Sequence, residues 1–239
     1  MDTPSHKTIN KNEIKQGLFA AWPICLGYIP LGIACGVLAQ KAGISPLQIG
    51  FMSLLVFAGS GQFIAISMLG GGAVVASIVV TTAVVNLRHL LMSSSLAIYL
   101  GRARGRKLSL FAAEITDETF AVNISRFKNG GWDIRQGFIV NATSHLAWTT
   151  STIIGAYSGQ FIPEGAFGID YALCAMFIGL LALQFRGQKY VITVVLAGAL
   201  ALIFSLLLPG NLYVIIASII ATTLVVAFRR RMGKESARV

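Results

Sequence analysis

Charged side chains are scarce in this 239-residue chain, at 12% of all positions against 55% hydrophobic, with a mean hydropathy of +0.74. A water-soluble domain carries about 25% charged residues, so this chain cannot coat a globule with polar groups and much of its surface must face lipid. That excludes a soluble enzyme, a disordered chain and a collagen-like repeat. Cysteine is rare as well. Cys25, Cys35 and Cys174 lie in apolar stretches without a CxxC pair, and read as small hydrophobes of packed helices. There are only three histidines, His6, His89 and His145, and no Cys-His spacing, so no structural metal is expected. No GxxxxGK[ST] loop exists to hold a nucleotide, and no cofactor is implied. Gly59-Ser60-Gly61 with a histidine on another span suggests an intramembrane Ser-His dyad. A GxSG elbow would need glycine where the chain has Phe57, and no oxyanion-hole set accompanies it, so the protein reads as a non-enzyme.

What remains is long uncharged runs. Lys15 to Lys41 encloses 25 residues free of Asp, Glu, Lys and Arg, Lys41 to Arg88 encloses 46, Arg135 to Glu164 encloses 28, and Lys189 to Arg229 encloses 39. A transmembrane helix needs about 20 apolar residues. With Gly70-Gly71-Gly72 and Pro209-Gly210-Asn211 as dividers, the reading is an all-α polytopic membrane protein of about seven transmembrane helices, some broken or kinked. The spans fall near 17–39, 47–69, 73–100, 134–158, 170–186, 190–208 and 212–228 of a single membrane domain, 17–228. Residues 1–16 form a tail, 229–239 a basic cytoplasmic tail, and 108–125 a re-entrant or interfacial helix. The first run is too long for the h-region of a cleaved signal and contains Pro23 and Pro30, so it is read as a retained helix.

The net charge of +10 sits in short clusters: Arg102, Arg104, Arg106 and Lys107; Arg126, Lys128 and Arg135; Arg186 and Lys189; and Arg229, Arg230, Arg231 and Lys234. These are cytoplasmic loops by the positive-inside rule rather than a nucleic-acid surface. Seven spans with the C-terminus inside put Glu164 and Asp170 outside, together with the N-terminal tail despite Lys7, Lys11 and Lys15. A six-span arrangement with the N-terminus inside is the alternative, if one early segment is re-entrant.

Four places break the rules for a chain in lipid, where irregular backbone and ionisable groups mark cavities or pathways. The first helix holds Pro23, Pro30, Gly27, Gly32 and Gly36, so it is either a kinked packing helix with a small-xxx-small face or a broken helix lining a path. Phe57-Ala58-Gly59-Ser60-Gly61-Gln62-Phe63 weakens the second span at mid-depth, either as a glycine-lined crossing or as a discontinuous helix offering free amides to a carboxylate. Its SGQFI recurs as Ser158-Gly159-Gln160-Phe161-Ile162, a hint of duplication. Asn86-Leu87-Arg88-His89 puts a guanidinium deep in the third span. It must find an anion or a wet cavity, or else snorkel to the interface. Glu114, Asp117 and Glu118, at i, i+3 and i+4, fall on one face of a helix, either as a solvated face or as a proton relay. His145 and Trp148 share a face in the fourth span, where the histidine either meets a ligand or is bonded to a neighbouring helix.

In order and spacing, PLGIACGVLAQKAGIS, VFAGSGQFIAISML, NLRHLLMSSSLAIYL, EITDETFAV and FGIDYALCAMFIGLL resemble the AzlC family of branched-chain amino acid permeases, over residues 15–230. The resemblance implies a multi-pass protein of the bacterial inner membrane that exports branched-chain amino acids, sometimes methionine, by a secondary process driven by the proton-motive force. It also implies pairing with a separate AzlD-type membrane subunit of about 100 residues. The residue chemistry assigns substrate binding to Arg88, Asn86, Gly59, Ser60, Gly61, Gln62 and Trp148, with Phe57 and Phe63 beside the substrate side chain. It assigns proton movement to His89, Asp117, Glu118, Glu114 and His145. A non-transporting assembly subunit and a passive small-solute channel are the alternatives.

Overall fold

Helix starts are written into this chain as capping boxes. Asn10 with Glu13, Ser45 with Gln48, Thr116 with Thr119 and Asp133 with Gln136 each exchange side-chain and backbone hydrogen bonds across a first turn. In the computed structural model these open α1 (Lys11–Lys41), α2 (Pro46–Leu55), α6 (Asp117–Asn129) and α7 (Ile134–Gly159). The other helices are α3 (Gly59–Gly70), α4 (Val75–Ala97), α5 (Arg106–Ala113), α8 (Ala172–Gln184) and α9 (Gln188–Leu207). The structure describes residues 10–100, 105–163, 168, 171–184, 188–207, 220, 221, 223 and 224. Residues 1–9 of the tail, most of the 212–228 span, the 229–239 tail, and Arg102, Arg104, Glu164, Asp170 and Arg186 lie outside them. By their internal contacts, residues 1–176 and 177–239 form two units. In the second, α9 is a 20-residue apolar helix.

Among the described residues, α1 and α7 make the most extensive pairing. Gly17 lies against Ile139, Gly32 against Ser151, Gly36 against Thr152 and Ala156, and Gly159 against Gln40. Residue numbers rise together along the contact, so the two helices are parallel and their first turns share one end. There Arg135 reaches Glu13 at 3.6 Å and Gln136 donates to Gln16 at 2.5 Å. A Cβ on Gly36 would overlap the Thr152 carbonyl, and one on Gly155 the Ile33 carbonyl. This is the close approach that small residues permit between membrane helices. Helix α1 runs through Pro23 and Pro30 without a break, so of its two readings the packing helix holds.

The segment 47–69 departs from the expected span. Helix α2 descends along α7, with Gly50 against Ile153 and Ser53 bonded to Thr152 at 2.8 Å. The chain then leaves helical geometry at Val56–Ala58, and α3 returns until Gly70 meets Ala42, just past the end of α1. Both ends of this hairpin therefore lie at the C-terminal end of α1. Its arms of 10 and 12 residues are about 15–18 Å long, half a hydrocarbon layer each. The expected crossing is thus a re-entrant helical hairpin. The Gly70–Gly72 divider does end it, with Gly72 at φ 71° in the turn to α4.

A second hairpin answers it from the opposite end. Helix α4 brings the chain back, and its last residues pack Leu96 and Leu100 against Phe111 and Ile115. Helix α5 rises to Glu114–Thr116, and α6 descends beside Tyr99, whose ring stacks on Phe127 at 6.2 Å. The helix expected at 108–125 is therefore two helices. Glu114 ends one, while Asp117 and Glu118 start the other, so the three acids do not share a helix face. The Thr116 cap is the physical reason, because its side chain takes the Thr119 amide at 3.3 Å and closes α6 to further helix upstream.

By length and composition two described helices, α1 and α4, can cross a membrane. Of the seven expected spans, 47–69 doubles back and 134–158 is a 26-residue helix that buries Asn141, Ser144, Ser151 and Thr152. Lys11 and Lys15, expected on the face opposite to Arg126–Arg135, instead lie in the first turns of α1 at the same end as that loop. The outer surface is apolar, with Phe19, Trp22, Leu55, Val75, Leu90 and Leu91 exposed, while Ser53, Gln62, Asn123, Asn141 and Thr152 are buried. That distribution suits lipid outside and hydrogen bonds inside.

Candidate functional site

The two hairpin tips meet at the middle of α1, α4 and α7, and Arg88 joins them. Placed 13 residues into α4, its guanidinium points inward, not to an interface. Nη1 pairs with the Asp117 carboxylate at 2.7 Å, in the first turn of α6, and Nη2 donates to Ser60 Oγ in the first turn of α3. The side chains of Arg88 and Asp117 are 28% and 25% exposed, so the pair is largely withdrawn from the surface. Nε of Arg88 is buried without a hydrogen-bond partner among the described residues.

Around Arg88, α3 supplies polar backbone. Its N-cap, Ala58, has no side-chain cap, and the first intrahelical bond runs from Gln62 N to Ala58 O at 2.8 Å. The amides of Gly59, Ser60 and Gly61 therefore have no intrahelical acceptor. Asn86 lies over Gly61, close enough that a Cβ there would sit 2.9 Å from both ends of its amide. Asn86 Oδ1 is a further buried acceptor without a partner among the described residues. The break expected at 57–63 thus exists but is shifted, with irregular backbone at 56–58 and residues 59–62 forming the first turn of α3.

Gln62 and Trp148 hold each other. The indole Nε1–H donates to Gln62 Oε1 at 2.7 Å, and Gln62 Nε2 donates to Ser53 Oγ at 2.9 Å, which clamps the two arms of the first hairpin to α7. Both side chains are buried and hydrogen-bonded, and through these bonds they fix the position of the first hairpin on α7. Phe63 meets the same indole edge-on at 6.4 Å. A cavity of about 240 Å³ is lined by Phe63 together with Leu38, Lys41, Ala42, Ile66, Ser67 and Gly70.

The acids and histidines each take a separate partner. Glu118 accepts from the Tyr28 hydroxyl at 2.6 Å, which also shares a hydrogen bond with Thr116 Oγ1 at 2.7 Å. Glu114 lies 3.9 Å from His145 Nδ1. His145 also meets the Ser53 carbonyl at 3.0 Å and stacks on Phe57 with ring centroids 4.3 Å apart. Of its two readings, the histidine bonded to a neighbouring helix is present, and its shared face with Trp148 is the one that meets the first hairpin. His89 faces the Ile115 backbone in the second hairpin, and its Nε2 is buried without a partner among the described residues. The structure thus gathers Arg88, Asn86, Gly59, Ser60, Gly61, Asp117 and His89 at the tips. It sets Glu118 apart against α1, and Glu114 with His145 between α5 and α7.

Sequence reasoning passed over Tyr28, Ser53 and Thr116. The Thr-Asp-Glu run opening α6 is a helix-start signature that could have revealed the break. Tyr28 and Ser53 had no such signal, since their roles depend on α1 and α2 lying beside other elements. The two SGQFI copies occupy different places, one in the buried first turn of α3 and the other at the exposed end of α7, so the echo has no structural counterpart.

A family profile described as AzlC protein matches residues 23–162. The chain is 32% identical over 194 residues to the inner membrane protein YgaZ of Escherichia coli, covering 78% of this chain and 79% of that one. It is 27% identical over 221 residues to the branched-chain amino acid transport protein AzlC of Bacillus subtilis, covering 91% and 85%. It is 30% identical over 207 residues to an uncharacterized membrane protein of Archaeoglobus fulgidus, covering 84% and 89%. No solved structure matches.

Proposed function

This chain belongs to the AzlC family, and from that premise we propose that it is a secondary transporter of branched-chain amino acids. It works outward across the bacterial inner membrane, with proton coupling, as the large subunit beside a small AzlD-type partner. The observation that carries the reading is Arg88, an arginine in an apolar helix held between the tips of two opposed re-entrant hairpins.

A carboxylate has a complete docking set there. With Nη1 on Asp117, the Nε and Nη2 edge of the guanidinium is free for side-on bidentate pairing once Ser60 yields its contact. The uncapped amides of Gly59–Gly61 belong to the same helix turn whose Ser60 reaches Arg88, and a helix start of this kind favours an anion. The substrate ammonium then has Asn86 Oδ1 and the Asp117 carboxylate within the same shell. An aliphatic side chain of this substrate class would lie toward Phe57 and the neighbouring apolar residues.

Opposed hairpins also suit alternating access. The first opens at the Lys41 end of α1 and the second at the Lys11 end, so withdrawing either tip would uncover Arg88 to one side only. The substrate carboxylate displaces Ser60 from Nη2, so occupancy loosens the link through Arg88 that joins the two tips when the site is empty.

The test is leucine efflux from dipeptide-loaded cells at matched expression. Arg88→Ala and Asp117→Asn should lose most of the rate, whereas Arg88→Lys keeps the charge but not the side-on geometry and should be intermediate. Efflux by Arg88→Ala equal to the unaltered chain overturns the assignment. Loss of efflux on addition of an uncoupler distinguishes a coupled exporter from a passive pore.

A further inference from the structure

Among the acids and histidines that substrate docking leaves unused, Glu114 and His145 are half-buried and face each other. His145 Nε2 lies 3.0 Å from the Ser53 carbonyl, which can only accept, so Nε2 carries a hydrogen in every state of the ring. Phe57 stacks on the ring at an interplanar angle of 10° and holds its plane. Titration is thereby confined to Nδ1, which points to Glu114 Oε1 at 3.9 Å. The other carboxylate oxygen, Oε2, is buried with no hydrogen-bond partner among the described residues. The side chains are 15% and 27% exposed.

With no proton between them, a lone pair would face a carboxylate whose charge nothing nearby offsets. One proton removes the conflict, whether it sits on Nδ1 as an ion pair or on Glu114 as a neutral acid. One shared proton therefore satisfies both groups, and the geometry has room for only one between Nδ1 and the carboxylate. The surroundings leave this pair to itself. From α1 the titratable neighbour is Tyr28, which is turned to Glu118; from α4 and α6, Arg88 and Asp117 are turned to each other; His89 faces the Ile115 backbone; and α2 offers only the Ser53 carbonyl.

We infer that His145 and Glu114 form a proton-holding pair, separate from the Arg88–Asp117 substrate site, and that its proton is the one exchanged for substrate. The inference rests on the transporter reading and gives its coupling ion a location. His145 belongs to α7, Ser53 to the first hairpin and Glu114 to the second, so the pair links both tips to a helix that stays in place. Loss of the proton to one aqueous face sets an unpaired carboxylate against a lone pair and drives the second hairpin from α7. Uptake from the other face brings it back. One proton enters and one leaves per cycle.

The experiment uses the full chain in proteoliposomes, co-reconstituted with its small partner where that is needed for activity, and compares it with Glu114→Gln and His145→Gln. Both substitutions keep a hydrogen-bonding side chain. The variants should retain exchange of labelled leucine between equal pools and lose accumulation driven by an imposed pH gradient. In parallel, nitrogen-15 histidine spectra of the full chain should show one ring whose Nε2 stays protonated throughout and whose Nδ1 titration moves in Glu114→Gln. Gradient-driven accumulation by Glu114→Gln at the unaltered rate, or an unmoved Nδ1 titration, overturns the pair. If the unaltered chain moves no leucine, the transport reading fails, and the histidine titration still decides whether the pair exists.

Discussion

Arg88 shows what an ionisable side chain in an apolar helix requires. Breaking a buried ion pair from one side leaves an uncompensated charge and costs about 3–5 kcal/mol, whereas removing both charges together is far cheaper. Arg88→Gln and Asp117→Asn should therefore each lower the melting temperature in detergent, while the double variant should recover most of the loss and still fail to transport. Recovery of stability with transport absent separates the structural from the functional role of the pair. Trp148→Phe makes a smaller test. It keeps the ring but removes the donor to Gln62, leaving a buried amide oxygen unmet, for a loss of about 1–3 kcal/mol measurable by thermal unfolding.

Elements in this protein are delimited by caps and by close contacts more than by hydropathy. The 46-residue uncharged stretch contains a hairpin and most of a crossing helix, and nothing in its apolar content distinguishes the two. The distinction is carried by Ser45-Pro46 at the start, the irregular backbone at 56–58 and the contact of Gly70 with Ala42. Glycines in α1 show the same dependence on place. Gly27 has nothing within 4 Å of where a Cβ would stand, so Gly27→Ala should raise stability by about 0.5–1 kcal/mol through lost backbone freedom. Gly36→Ala would drive a methyl into the Thr152 carbonyl and should destabilise the α1–α7 pair. Equal melting temperatures for the two variants would contradict the parallel packing described above.

For the whole molecule, the parallel pairing of α1 and α7 decides which loops share a face. Lys11 and Lys15 start α1 beside Arg135, so one face of the first unit gathers the start of α1, the 126–135 cluster and Arg106 and Lys107, a concentration of basic charge of the kind the positive-inside rule associates with a cytoplasmic side. By that rule the start of α1 and the 126–135 loop are expected on one side, with the first hairpin turning back toward the other. In a Cys174→Ser background, cysteines placed at Lys11 and at Gly130 should be labelled by an impermeant reagent from the same side, and cysteines at Gly43 and at Gly72 from the other. Labelling of positions 11 and 130 from opposite sides would restore the seven-span topology.

Composition alone determined that this chain lives in lipid, because 12% charge cannot cover it with water-facing groups. Local pattern determined that Arg88, the 57–63 weakness and the Glu114–Glu118 run were places where helix and hydrocarbon rules fail. The family likeness was readable from motif order. What tertiary structure decided was how those exceptions are shared out. Three acids that one helix would have clustered instead meet Arg88, Tyr28 and His145 separately, since a threonine cap breaks the helix between them. A span became a hairpin for a related reason. Whether an apolar segment crosses or turns back depends on what its ends touch, and such contacts join residues far apart in the chain, beyond the reach of any local periodicity.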